Sequence, residues 1–132
     1  MKRLLVLAFG ALLSASSFAM DDYTTQTKAG RTLTFKFHGT NAVNMKTHAV
    51  TVCVSDTSVS VSKLRLWMKM PNHEHGSSPT VVHSAKNGCS LVQELNFTMP
   101  GIWQIHVQLS DGDTTDKQFL ELNVLKDGDS NL

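Results

Sequence analysis

From Thr32 to Val124 apolar and polar side chains alternate almost one by one, in short runs. A period of two marks strands with one buried face, because successive side chains of an extended backbone point to opposite sides. Leu33, Phe35 and Phe37 alternate with Thr32, Thr34 and Lys36, and Val50, Val52 and Val54 with Thr51 and Cys53. Leu64, Leu66, Met68 and Met70 form a third and longest run. A short fourth piece covers Thr80 to Ser84, and Leu91, Leu95 and Phe97 set a fifth on one face. Trp103, Ile105, Val107 and Leu109, then Leu120, Leu122 and Val124, complete the set. Turn-forming residues separate the runs at Asp56 to Ser60, Lys86-Asn87-Gly88, Pro100-Gly101 and Asp111-Gly112-Asp113.

Seven such strands with no helix to cover them must bury their apolar faces against each other. The expected fold class is all-β: a single immunoglobulin-like antiparallel β-sandwich of about seven strands. A small closed barrel would show the same alternation and stays open as the alternative.

The first residues break the pattern. Lys2 and Arg3 precede an apolar run from Leu4 to Leu13, too short to span a bilayer, and Ser17-Phe18-Ala19 makes a small-x-small cleavage site. Residues 1–19 therefore read as a signal peptide and 20–132 as one domain, exported to the periplasm or secreted, with no stable membrane span once the signal is removed. Asp21 to Lys28 and Lys126 to Leu132 read as ends that fray. The 132 residues carry 12 Lys+Arg against 11 Asp+Glu, and losing Lys2 and Arg3 tips the balance to one negative charge. With neither a basic block nor a charge excess, an electrostatic nucleic-acid partner is excluded, as is a polybasic membrane contact.

If successive strands alternate in direction, three connections share one end of the sandwich. They carry His38, Met45 and His48; Met70-Pro71-Asn72-His73-Glu74-His75-Gly76; and Met99-Pro100-Gly101. Thioethers are soft neutral donors suited to Cu(I), and imidazole accepts copper or zinc, so the mixture points to copper before magnesium or calcium. His73 and His75 bracket Glu74 in a turn between Pro71 and Gly76; they are either metal ligands or a hydrated surface turn. Met68 and Met70 continue an apolar face and read first as core, with Met70, at the strand end, the better ligand candidate. Met99, in a Pro-Gly turn, is freer of packing duty. His48 completes the candidate set of His73, His75, Met70 and Met99, although it and His38 also read as hydrated strand flanks. His106 opposes Trp103, Ile105 and Val107 in parity and belongs on the outer surface.

At the opposite end, Cys53 and Cys89 lie at matching heights on strands that an immunoglobulin-like order makes neighbours. An exported protein favours a bridge between them. Their parity is a difficulty, since Cys53 falls on the outward Thr51 face whereas Cys89 keeps step with Leu91, read as inward; the bridge is still the expectation, because two unpaired thiols in an exported protein are exposed to oxidation. Asp111, Asp113 and Asp116 around Gly112 resemble a calcium loop only loosely and default to a polar hairpin turn. Trp67, opposite in parity to Leu66, covers the outer face, contacts a partner, or marks a register error.

The elements Met70-Pro71-Asn72-His73-Glu74-His75-Gly76 and Phe97-Thr98-Met99-Pro100-Gly101-Ile102-Trp103 resemble those of the YtkA/FixH-like group of exported bacterial β-sandwich domains. That group has a strand ending in Met-Pro-x-x-x-His and a later Phe-x-Met-x-Gly-x-Trp hairpin. The likeness implies an envelope protein concerned with copper handling or with assembly of respiratory metal enzymes, and would carry over Met70, His73, His75 and Met99. Asn72, His73 and Glu74 depart from the group's usual Gly-Met-Gly, exchanging a thioether for an imidazole. The expected function is capture or transfer of copper by an exported domain, its partner a metal ion or an envelope protein. The alternative is a metal-free interaction or assembly module of the envelope. No Gly-x-Ser-x-Gly elbow, thiol–base pair or spaced carboxylate pair suggests an enzyme.

Overall fold

The computed structural model describes residues 22–39, 42–69, 74–76, 79–110 and 115–126. They form two antiparallel sheets and no helix, packed face to face as a β-sandwich. One sheet is built from β1 (Tyr23–Gln26), β2 (Thr32–Phe37), β3 (Val50–Val54), β6 (Val81–Val82) and β7 (Cys89–Gln93), in the order β1-β2-β3-β7-β6. The other is built from β4 (Ser60–Lys69), β5 (Glu74–Gly76), β8 (Gly101–Ser110) and β9 (Thr115–Val124), in the order β5-β4-β8-β9.

The alternation of the chain becomes the two sides of these sheets. Leu33, Phe35 and Phe37 of β2 pair with Val54, Val52 and Val50 of β3 and are completely buried. Across the sandwich they face a layer that includes Leu64, Leu66, Trp103, Ile105, Val107 and Leu122. Branched and aromatic side chains suit this surface because they pack well above a pleated sheet. A slip of one residue in any pair would turn its whole apolar set toward water, so the register is strongly specified.

Two places break the alternation. Between Val61 and Lys63 the β4–β8 register shifts, so that both Val61 and Leu64 point inward, and the Ser62 hydroxyl donates to the Gln108 carbonyl at 3.1 Å. Between Val92 and Leu95, Glu94 takes φ = 66° and again puts two residues three apart into the core. The second break corrects the expected face of the fifth run. Val92, Leu95 and Phe97 are buried, whereas Leu91 is exposed.

That correction removes the obstacle to the disulfide. Cys89 shares the outward face with Leu91, as Cys53 does with Thr51, and the two are joined across β3 and β7. Val54 N–H donates to the Gly88 carbonyl at 2.8 Å, which leaves Cys53 and Cys89 as a non-hydrogen-bonded pair, the kind in which facing residues come closest. Their Cα atoms are 4.0 Å apart.

The strand count also exceeds the expected seven. Tyr23–Gln26, expected to fray, pairs along β2 as an edge strand, and Glu74–Gly76, expected to be loop, pairs with β4. Ser60, placed in a turn, already opens β4, and the third run is not alone in length, because β4, β8 and β9 each have ten residues. The piece at Thr80 to Ser84 shrinks to Val81–Val82.

Candidate functional site

The expected alternation of strand direction holds. Phe37 at the end of β2 pairs with Val50 at the start of β3, and Val50 pairs with Val92 near the end of β7. In the other sheet Met68, near the end of β4, pairs with Trp103 near the start of β8, and Trp103 with Leu122 near the end of β9. The β2–β3 connection, whose two strands belong to the same sheet, reaches over to the end of β9 in the other sheet at this pole. Leu125 N–H donates to the Val43 carbonyl at 3.0 Å, and Met45 N–H to the Leu125 carbonyl at 3.1 Å. The β2–β3 connection, the exit of β4 and the β7–β8 connection therefore share a pole, while Arg31 closes the opposite one.

His48 leads into β3 with its side chain held against the β7–β8 connection. Leu95 N–H donates to the His48 carbonyl at 3.0 Å, and the ring Nδ1 lies 3.3 Å from the Leu95 carbonyl. A carbonyl only accepts, so Nδ1 is the donor in this contact, and in the neutral ring that leaves the lone pair on Nε2. Metal-binding imidazoles are commonly oriented in this way. A shallow depression of about 450 Å³ opens beside the ring, lined also by Ala49, Gln93, Glu94, Leu95 and Asn96.

Met99 is 43% exposed, so its thioether is available at the surface. Its backbone is held by the Trp103 indole, whose Nε1–H donates to the Met99 carbonyl at 2.9 Å. Trp103 is itself completely buried and meets Phe97 edge to face at 5.4 Å, so the turn that carries Met99 is moored in the core. Met68 is core, as its parity implied, and Met45 packs partly buried against the same cluster. Met70, Pro71, Asn72 and His73 lie outside the described residues, and His75 occupies the β5 position opposite Met68. Among the described residues no three His, Cys, Asp or Glu side chains gather closely enough to hold a metal ion.

Gly101 makes the turn into β8 possible. Its φ of 134° lies in a region that L side chains rarely adopt, and an added Cβ would fall 2.7 Å from Met68 Cε. Gly101→Ala is expected to cost about 1–3 kcal/mol, from the backbone strain and from displacing Met68. The shift in the urea midpoint measures it.

The remaining described histidines are tied elsewhere. His38 Nε2 lies 2.7 Å from Thr51 Oγ1, His83 Nε2 2.7 Å from Gln93 Oε1, and His106 Nε2 3.0 Å from Gln104 Oε1, with His106 on the outer surface as expected. At the far pole Arg31 bonds Asp56 at 3.3 Å and Asp116 at 3.1 Å, tying the β1–β2 and β3–β4 turns to β9. Asp116, placed with the loose calcium-like loop, is thus an ion-pair partner; Asp111 and Asp113 lie outside the described residues. Hydrogen bonds from the Ser58 hydroxyl and N–H, helped by Arg31, hold the Asp56 carboxyl below its usual range.

Sequence reasoning singled out Trp67 without finding what surrounds it. It stands on the outer face of the four-stranded sheet, beside Arg65, Lys63, His106 and Phe119. The signal was present as a run of cationic and aromatic residues at the outward parity of three strands.

Fold and pole together define a disulfide-bonded β-sandwich with His48 and Met99 on connections at one end. Comparison of this chain with family models, curated proteins and solved structures finds no match.

Proposed function

We propose that this protein is an exported metal-binding domain of YtkA/FixH-like kind that captures or hands over copper at its His/Met pole. One observation carries the reading: three chain connections converge on that pole, where Met99 is exposed and His48 holds Nδ1 against the Leu95 carbonyl with Nε2 turned away from that contact. Both donors fit a soft ion, and neither is charged, which favours Cu(I) over hard cations. His73, His75 and Met70 are the further ligands in this reading. Donors carried on turns exchange readily, as transfer requires.

The order β2-β3-β7-β6 against β4-β8-β9 supports an immunoglobulin-like reading of the sandwich, with β1 and β5 added at two edges. The disulfide supports an oxidising compartment, hence export to the periplasm or beyond. Among the described residues no helix is long and apolar enough to cross a membrane. The signal-peptide reading of residues 1–19 completes this account.

Competition for Cu(I) against a chromophoric chelator tests the proposal. The protein should withdraw copper from the chelator, and a variant with His73, His75 and Met99 replaced by alanine should bind at least about tenfold more weakly, the loss of a single good contact. Equal, weak retention by both proteins would instead assign the pole to a metal-free interaction module.

A further inference from the structure

The outward side of the four-stranded sheet carries a second surface, independent of the metal pole. Its registers set residues in three rows across β4, β8 and β9: Lys63, Gln108 and Lys117; Arg65, His106 and Phe119; Trp67, Gln104 and Glu121. These residues line most of a shallow open groove of about 680 Å³.

The charge on this face is one-sided although the chain as a whole is nearly neutral. Lys63, Arg65 and Lys117 are cationic. Among the described residues of β4, β8 and β9 the acid in these rows is Glu121, which accepts from Gln104 Nε2 at 3.2 Å. Arg31 at the far pole forms ion pairs with Asp56 and Asp116, away from Lys63, Arg65 and Lys117. Neighbouring strands are about 4.8 Å apart, so Lys63 and Lys117, two strands from each other, stand about 10 Å apart with an amide between them.

The aromatic side chains stiffen this array. The Arg65 guanidinium lies over the Trp67 ring, 5.8 Å from its centroid, and a stacked guanidinium keeps its N–H edges free for a carboxylate. The His106 ring lies 5.3 Å from that of Phe119 at a tilt of 31°, and Phe119 remains 42% exposed. The face thus offers cations, side-chain amides and an uncovered apolar ring in one shallow, open groove.

From this combination we infer that the face binds an acidic polysaccharide, a glycan whose sugar rings bear carboxylates. Carboxylates meet Arg65, Lys63 and Lys117. Vicinal hydroxyls pair with the amides of Gln104 and Gln108, and a sugar C–H face lies on Phe119. A neutral glycan would leave the cations unused, and an acidic peptide offers neither vicinal hydroxyls nor a ring face; a single-stranded nucleic acid could engage all three groups, but the nearly balanced charge of the chain disfavours it, and titration separates the two.

Affinity electrophoresis and titration of the protein with oligogalacturonate test this, beside its methyl-esterified form, a polyglutamate peptide and a single-stranded oligonucleotide. Oligogalacturonate should bind most tightly. Arg65→Gln and Lys117→Gln should each weaken it about tenfold, as loss of a charge-assisted contact does, and Phe119→Ser should weaken it with unchanged salt dependence. Lys36→Gln, at an exposed site in the other sheet, should leave binding unchanged. Because all four residues lie at the surface, unfolding midpoints should match the parent. Equal binding of the esterified glycan, the peptide or the oligonucleotide overturns the inference. So does unchanged binding by Arg65→Gln, or no binding of oligogalacturonate at all.

Discussion

A Cys53→Ala/Cys89→Ala double variant is expected to lose about 4 kcal/mol of stability, read as a lower urea midpoint than that of the oxidised parent. The bridge closes a loop spanning 36 positions of sequence, and most of its effect falls on the unfolded chain, whose freedom it restricts. Both cysteines are only half buried on the outer face, so alanine there removes little packing and the measured loss isolates the cross-link. Domains of this size keep about 5–15 kcal/mol in all, so the variant should unfold well below the parent. Reduction of the parent should reproduce the effect, since reduction opens the same loop without changing any side chain of the core. A loss under about 1 kcal/mol, the scale of an ordinary surface change, would mean that the unfolded chain is already held compact over this segment.

Trp103→Ala carries an effect of similar size by a different route. The indole is the largest fully buried side chain of the core, and truncating such a ring costs about 3–5 kcal/mol because the neighbours collapse only partly into the space left. Trp103→Phe separates the two duties of this residue. It keeps most of the ring contact with Phe97 but removes the Nε1–H donor to the Met99 carbonyl, a change worth about 1 kcal/mol. Trp103→Phe should therefore stay folded, with hydrogen exchange at the β7–β8 turn faster than in the parent. On the copper reading it should also weaken Cu(I) retention in the chelator competition, because the thioether at position 99 loses its mooring. Retention equal to the parent's would show that the turn is held well enough by its other contacts.

The core was legible because side-chain parity is a physical consequence of extended backbone. Phe35, Val52, Trp103 and Ile105 could be assigned to the inside from their neighbours alone, and so could the outward placement of His106. The phase changes at Ser62 and Glu94 were not legible. They arise from local backbone conformation, a bulge in one case and a left-handed non-glycine residue in the other, and alternation carries no mark of either. Leu91 was misplaced for this reason, and with it the geometry of the cysteine pair. Tyr23–Gln26 was missed because an edge strand with only half-buried side chains has no apolar face to declare it. At the pole, the meeting of three connections followed from strand direction. The bond between His48 and the Leu95 carbonyl did not, since it depends on the path the chain takes after Glu94.

The edges of the two sheets are unequal in a way that bears on self-association. In the five-stranded sheet the outermost strands are β1, with four residues, and β6, with two, both short templates for another chain. In the four-stranded sheet β9 offers ten residues at its border, long enough to recruit a foreign strand. The Gln118 amide reaches from that border to the Gln26 carbonyl of β1, so the first strand of one layer stands guard over the open rim of the other. A four-residue ribbon, fastened to the core by Tyr23 against Phe37, thereby covers part of the longest exposed border of the fold.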